Sequence, residues 1–313
     1  MKKILVIGSA NADLLLQLPR MPRLGETITG QDVQVNAGGK GLNQAIAVKK
    51  LGGQVSFWAC LGEDDNGQML RKALAEADIP FVGQLLPDCR TGLAVVSVVQ
   101  GDNFILLHPG ANAMLTPERI EAGRKRIEEA DFVVLQLEIP LESVVKIAEI
   151  AKEAGTKVVL NPAPCQRLPD SLYPRIDYLI PNEVEAAQLT GLPVESREQC
   201  LAAMQALRQR GAGTVIITLG ERGCCYQDDR SSGFLPAVKT EAVDTTSAGD
   251  TFIGALCSRL ALGEGLEEAA RYGTRAAAIT VSRSGAARSI PWARELESVV
   301  DKSKNSPAVG DEP

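Results

Sequence analysis

The stretch Asp244-Thr245-Thr246-Ser247-Ala248-Gly249-Asp250-Thr251-Phe252 joins a turn to a helix. Upstream, Glu241 to Val243 is expected to close an extended segment; downstream, Phe252, Leu256 and Leu260 recur every fourth residue and give one apolar helical face. The turn is therefore a helix N-terminus. There the amides of Ser247, Ala248, Gly249 and Asp250 lack intrahelical acceptors, and the helix dipole adds a positive potential that favours a phosphate oxygen. Gly249 lets a ligand approach the backbone closely. Asp250, set beside such an anion site, could take the proton of a hydroxyl attacking a phosphoryl group held over those amides. Each of these residues taken singly reads as an ordinary helix cap; all nine in this order make a stronger case for chemistry.

Outward from this segment, short β-rich runs alternate with helical patterns. Lys3 to Gly8, Gln54 to Cys60, Phe132 to Leu137, Lys157 to Leu160, Tyr178 to Ile180 and Thr214 to Leu219 read as strands, with amphipathic segments between most of them. That rhythm predicts an α/β fold, a mainly parallel central sheet with helices on both faces. Ligands in such sheets bind outside the carboxyl ends of the strands. Two regions break the rhythm: Leu14 to Val35 and Leu93 to His108 read as extended segments, the second with a Gly101-Asp102-Asn103 turn suited to a hairpin. They are expected to form a small β-sheet lid, over about residues 12–36 and 92–108, on a single domain spanning 1–300. The lid's edges would favour pairing with a second copy, hence a homodimer. The polar tail 301–313 is expected to be disordered.

Composition narrows the function. With 313 residues and a net charge of −6, the chain can bury a large core but carries no phosphate-tracking basic surface, so nucleic acid is not an expected partner. Seven cysteines without a Cys-x-x-Cys pair, two of them vicinal at Cys224 and Cys225, suit a reducing cytosol better than a disulfide framework or zinc site. The apolar run Ile4 to Ile7 after Lys2-Lys3 is too short for a signal peptide or membrane span, so a soluble cytoplasmic protein is expected. The only histidine, His108, reads as a strand-end residue.

Three further constellations bear on binding. Gly38-Gly39-Lys40-Gly41-Leu42-Asn43-Gln44-Ala45 opens a helix but lacks the P-loop spacing; its amides, Lys40 and Asn43 offer donors for a polyhydroxylated ligand. Gly8-Ser9-Ala10-Asn11-Ala12-Asp13 follows the first strand, and an extended backbone would point Asn11 and Asp13 to one side, where a carboxylate can accept from two vicinal hydroxyls. Both segments can equally be plain turns. Neither contains the Gly-x-Gly-x-x-Gly of a dinucleotide site. Glu138 ends an apolar run where the crevice should open, Asn182 and Glu185 have capping-box spacing, and Thr218-Leu219-Gly220-Glu221-Arg222-Gly223 ends a strand with glycines that would let backbone lie against a nucleotide.

Taken together and in order, GSANAD, GGKGLNQA, LQLE, LNPAP, PNEVEA, TLGERG and DTTSAGDTF resemble the phosphofructokinase-B-type sugar kinase family, over about Lys3 to Trp292. The resemblance implies a three-layer α/β/α domain with a β-sheet lid that doubles as a dimer clasp, and ATP-dependent phosphorylation of a sugar, most closely the 5-hydroxyl of ribose. Kinases for 2-deoxyribose, a nucleoside or another furanose share the same polar set, and a non-catalytic sensor is the reading from a different class. By this likeness Asn11, Ala12, Asp13, Gly39, Lys40, Gly41, Leu42, Asn43 and Glu138 line the sugar site. Asp250 is the base, with Ser247, Ala248 and Gly249 forming the anion hole. Asn182, the segment Thr218 to Gly223, and Thr274 fall where the family meets the nucleotide, and Glu185 where it meets hydrated Mg2+. Asp244, Thr246, Thr280, Arg283, Gly285 and Ser289 match positions around a monovalent cation, usually K+. Ser247 stands where many members carry glycine, and Thr274 where a histidine can face the adenine.

Overall fold

Ile4 and Val6 of β1 (Lys3–Ile7) pack into one apolar cluster, and Leu5 and Ile7 into another. Successive strand side chains point to opposite faces, so a strand covered on both sides must be apolar throughout, as the ILVI run is. The same division recurs in the strand Phe132–Leu135, where Val134 joins the first cluster and Val133 and Leu135 the second. Two cores on either side of one sheet make a three-layer α/β/α molecule.

The computed structural model describes residues 1–99 and 102–296. After β1 come β2 (Asn11–Leu18), β3 (Asp32–Gly38), α1 (Lys40–Lys50), β4 (Gln54–Trp58), β5 (Cys60–Gly62), α2 (Asp65–Glu76), β6 (Gln84–Leu86), β7 (Gly92–Val99) and β8 (Asp102–His108). The middle of the chain contributes α3 (Pro117–Ala122), α4 (Arg124–Glu128), β9 (Phe132–Leu135), α5 (Leu141–Ala154), β10 (Lys157–Leu160), β11 (Tyr178–Leu179), α6 (Glu183–Thr190) and α7 (Arg197–Gln209). The last part holds β12 (Thr214–Thr218), β13 (Cys224–Gln227), β14 (Ser232–Leu235), α8 (Ala248–Leu262), α9 (Leu266–Val281) and α10 (Ala286–Ser289).

The central sheet has the order β14-β13-β12-β11-β10-β9-β1-β4. It is parallel from β12 to β4, and β13 and β14 add antiparallel strands at one edge. All six expected strands are present, each ending one or two residues early except β10. The Gln54 to Cys60 run splits: Cys60 turns into β5 and pairs with β6 in a separate two-stranded sheet. A correction applies upstream of α8. Glu241 to Val243 lie in no strand and are exposed, and the loop is held by Val243 and Asp244 amides that both donate to the Val281 carbonyl.

A second sheet, β3-β2-β7-β8, contains both extended regions. β2 runs antiparallel to β3 and parallel to β7, pairing Asn11 with Gly38 on one side and with Gly92 on the other. One face of this sheet leaves Val33 and Leu106 more than half exposed. The Gly101 turn and the tail 301–313 lie outside the described residues.

Candidate active site

α8 begins at the residue pattern that opened the reading. Ser247 is its N-cap and takes the left-handed conformation, φ 62° and ψ 9°, with no capping bond from its own side chain. The first helical bond runs from the Thr251 amide to the Ser247 carbonyl, 2.8 Å, and the Ala248 amide is committed to the Thr245 carbonyl at 3.2 Å. The Ser247, Gly249 and Asp250 amides are thereby the donors left for an anion. A Cβ built on Gly249 would meet nothing within 4 Å, so its outer side is open space.

Asp250 is buried, and two side chains of α1 hold it. Gln44 Nε2 donates to Oδ1 at 3.0 Å and Asn43 Nδ2 to Oδ2 at 3.3 Å; Asn43 Nδ2 also donates to Ser247 Oγ at 3.0 Å. Burial pushes the Asp250 carboxyl up, while Lys40 and the two amides pull the other way. Gln44 is in turn oriented from below: Gln136 Nε2 donates to its Oε1 at 2.6 Å, and Asn161 Oδ1 accepts from its Nε2 at 3.3 Å.

Glu138, at the end of β9's run, sits at the N-terminus of α1. Its Oε2 accepts from Ser9 Oγ at 2.5 Å and from the Lys40 amide at 3.2 Å, a favourable place for a carboxylate. Asp13 lies nearby on β2. Burial, helped by the charges of Glu138 and Asp250, pushes its carboxyl up to about 7. Burial works against the charge on Lys40, but Asp250, Glu138 and Glu185 outweigh it and hold the ammonium above its ordinary value. Gly39 takes φ 93°, and a Cβ there would come 2.8 Å from the Asn11 amide nitrogen, so loop and strand touch at their backbones. Gly41 is similarly hemmed in by Ser9, and the side chains of Ala12 and Leu42 are wholly in the core.

A cleft of ≈ 210 Å³ brings Lys40, Asn182, Glu185, Thr218, Ser247, Gly249 and Asp250 together, across the carboxyl ends of the parallel strands. Its walls add Asn161, Ala163, Ile180, Thr245 and Ile253, which the sequence reading did not single out. Asn182 and Glu185 do form the capping box, so one Glu185 oxygen is held by the Asn182 amide at 2.8 Å. Burial raises the Glu185 carboxyl, against the Asn182 bond and Lys40. A more open hollow of ≈ 260 Å³ between α8 and α9 contains none of the expected site residues.

Some expected residues point elsewhere. The Arg222 guanidinium bonds to Glu183 of α6 and to the carbonyls of Glu195 and Val194, so its side chain braces the turn after β12 against α6 and the loop that follows it. Leu219 is buried in the core, Glu221 is exposed, and Gly220 and Gly223 supply positive φ for the turn. The Thr274 hydroxyl is spent on the Arg271 carbonyl of its own helix, 2.8 Å. Among the cation candidates, Asp244 Oδ2 accepts from the Gly285 amide at 3.0 Å and Oδ1 from the Thr246 amide at 2.9 Å, tying the Asp244 loop to Gly285. Each Asp244 oxygen accepts one bond and keeps a lone pair for a cation, whereas the Arg283 side chain is bonded to Glu295 and Thr280 Oγ1 to Thr251 Oγ1, so those two residues would contribute only carbonyl oxygens.

Comparison with known proteins agrees with this geometry. The family model described as pfkB family carbohydrate kinase matches residues 1–293. A ribokinase of Haemophilus influenzae is 40% identical over 94% of this chain and 97% of its own, and a deoxyribokinase of Salmonella typhi is 35% identical over 92% and 95%. Among solved structures, Arabidopsis thaliana ribokinase complexed with ribose and ATP superposes with a TM-score of 0.91, at 33% identity over 96% of this chain and 98% of that one. A buried carboxylate beside free helix amides, on this fold and with these relatives, places the chain in the pfkB family of carbohydrate kinases, phosphotransferases that act on a sugar hydroxyl.

Proposed function

We propose that this chain is an ATP-dependent ribokinase, converting D-ribose and ATP into ribose 5-phosphate and ADP. The observation that carries the reading is the placement of Asp250: buried, hydrogen-bonded on both oxygens, and in one cleft with the open Gly249 amide, Lys40, Asn182 and Thr218. Asp250 takes the proton of the 5-hydroxyl as that oxygen attacks the terminal phosphoryl group. Its burial raises its proton affinity, which suits a base. The Gly249 and Asp250 amides receive the phosphoryl oxygens.

On the sugar side, Asn11, Asp13, Lys40 and Glu138 converge at the feet of β2 and α1, where carboxylates accept hydroxyl protons and the amide and ammonium groups donate. The adenine nucleotide lies over Asn182, Thr218, Gly220 and Gly223. A divalent metal bound with ATP offsets phosphate charge. No group of three or more candidate ligands exists among the described residues, so Glu185 would hold Mg2+ only through water. K+ would bind between the Asp244 loop and the 280–289 segment. The β3-β2-β7-β8 sheet serves as a lid and as the interface of a homodimer.

The second reading, a deoxyribokinase, is supported by the Salmonella relative at 35% identity. ADP release from ATP should be measured across ribose, 2-deoxyribose, fructose, fructose phosphates and nucleosides, with and without K+. The expected result is highest kcat/KM with ribose and activation by K+; activity on nucleosides but not on free pentoses would overturn the assignment.

A further inference from the structure

Asn112 lies in the short turn after β8, outside the seven motifs quoted above, yet it is buried against the foot of β2. Its Oδ1 accepts from the Ala10 amide at 3.0 Å, and its Nδ2 donates to Asn11 Oδ1 at 2.7 Å. A carboxamide can be turned end for end, but a backbone N–H can only donate. The Ala10 amide therefore fixes the Asn112 oxygen toward Ala10 and its NH2 toward Asn11. Asn11 must then turn its own oxygen to Asn112, leaving its NH2 as the free end. Gly92 seals the arrangement: a Cβ there would come 2.2 Å from Asn11 Oδ1 and 2.3 Å from Asn112 Nδ2.

We propose that Asn112 is a positioning residue that locks the Asn11 carboxamide with its NH2 outward, so that Asn11 meets the sugar as a hydrogen-bond donor. This rests on the reading of Asn11 as a sugar ligand. The site needs that polarity. Asn11 and Asp13 are two residues apart on β2 and share a face. A sugar hydroxyl has one proton, and once it is given to the Asp13 or Glu138 carboxylate the same oxygen can only accept. An Asn11 turned the other way would set a second acceptor against it. Because Asn112 follows directly on β8 while Asn11 begins β2, the relay also ties the far strand of the second sheet to the sugar site.

The test is a double-mutant cycle read by calorimetric titration with D-ribose, on wild type, Asn112→Asp, Asn11→Ala and the double variant. Asn112→Asp keeps the shape but offers Asn11 an acceptor, so ribose affinity is expected to fall about 10- to 100-fold, with ATP affinity unchanged. In the Asn11→Ala background the same substitution should change ribose affinity less than about 2-fold. An equal loss in both backgrounds, or no loss in either, overturns the relay. Should Asn112→Asp not fold, Asn112→Ala replaces it in the cycle, with a smaller loss that must likewise vanish without Asn11. Since binding is read without turnover, a chain that binds ribose but does not phosphorylate it would sink the kinase reading while still deciding this one.

Discussion

Ser247 occupies a backbone conformation that costs a residue with a Cβ about 1 to 2 kcal/mol and glycine almost nothing. Its hydroxyl offsets part of that by accepting from Asn43. Ser247→Ala loses the bond and keeps the strain, whereas Ser247→Gly loses both. The glycine variant should therefore be the more stable of the two by about 1 kcal/mol in denaturant unfolding; equal stabilities would mean the turn is not strained. Asp13 gives a pH prediction. Its carboxyl titrates near 7 in the folded chain against 3.8 for a free side chain, so between those values the folded state holds a proton the unfolded chain has released. Raising the pH through this window removes stability and, by charging Asp13, improves its grip on hydroxyls. Ribose affinity should thus rise with pH up to about 7 and flatten in Asp13→Asn; a wild-type affinity constant over roughly pH 5 to 8 would contradict the assignment. Most of the motif residues in the cleft were legible in the sequence because short polar clusters follow strand ends. Gln136 and Asn161 fell inside the quoted LQLE and LNPAP segments without a role, and Asn112 outside all of them, since buried carboxamides carry no spacing signal and acquire meaning only from what packs over them.

Among the elements, α1 and α8 form the contact that assembles the catalytic end. Gly254 of α8 faces α1 so closely that a Cβ would lie 2.3 Å from the Ala47 Cβ and 2.7 Å from the Val48 nitrogen. The backbone of α1 cannot yield there as a flexible side chain could. Gly254→Val is expected to destabilise the fold by roughly 1 to 3 kcal/mol and, by moving Asn43 and Gln44 off Asp250, to lower kcat more than it alters ribose affinity. Unfolding curves and steady-state kinetics check both; an unchanged melting temperature would show that the helices can part freely. Strands such as β1 and β10 were readable because burial on both faces demands an unbroken apolar run. The β13–β14 hairpin was not, its CCYQ and SGFL segments being short and mixed, and the exposed Glu241 to Val243 loop mimicked a strand because alternation alone does not report pairing.

At the scale of the whole molecule, the proposed mechanism draws its nucleotide and base side from the three-layer body and Asn11 and Asp13 from the second sheet. The face of that sheet opposite Asn11 and Asp13 leaves Val33 59%, Val35 50% and Leu106 61% exposed, apolar side chains suited to a second copy. Light scattering should give the mass of a dimer, reduced to a monomer by Val35→Lys combined with Leu106→Lys; a wild-type monomer would remove the clasp. The proposed chemistry turns on Asp250 as the proton acceptor between sugar and nucleotide. Its most direct test is kcat for ribose phosphorylation in Asp250→Asn, alongside calorimetric titration of ribose and ATP. The account predicts turnover lower by about 10² to 10⁴ with both affinities largely kept, and a variant that turns over like wild type would contradict it.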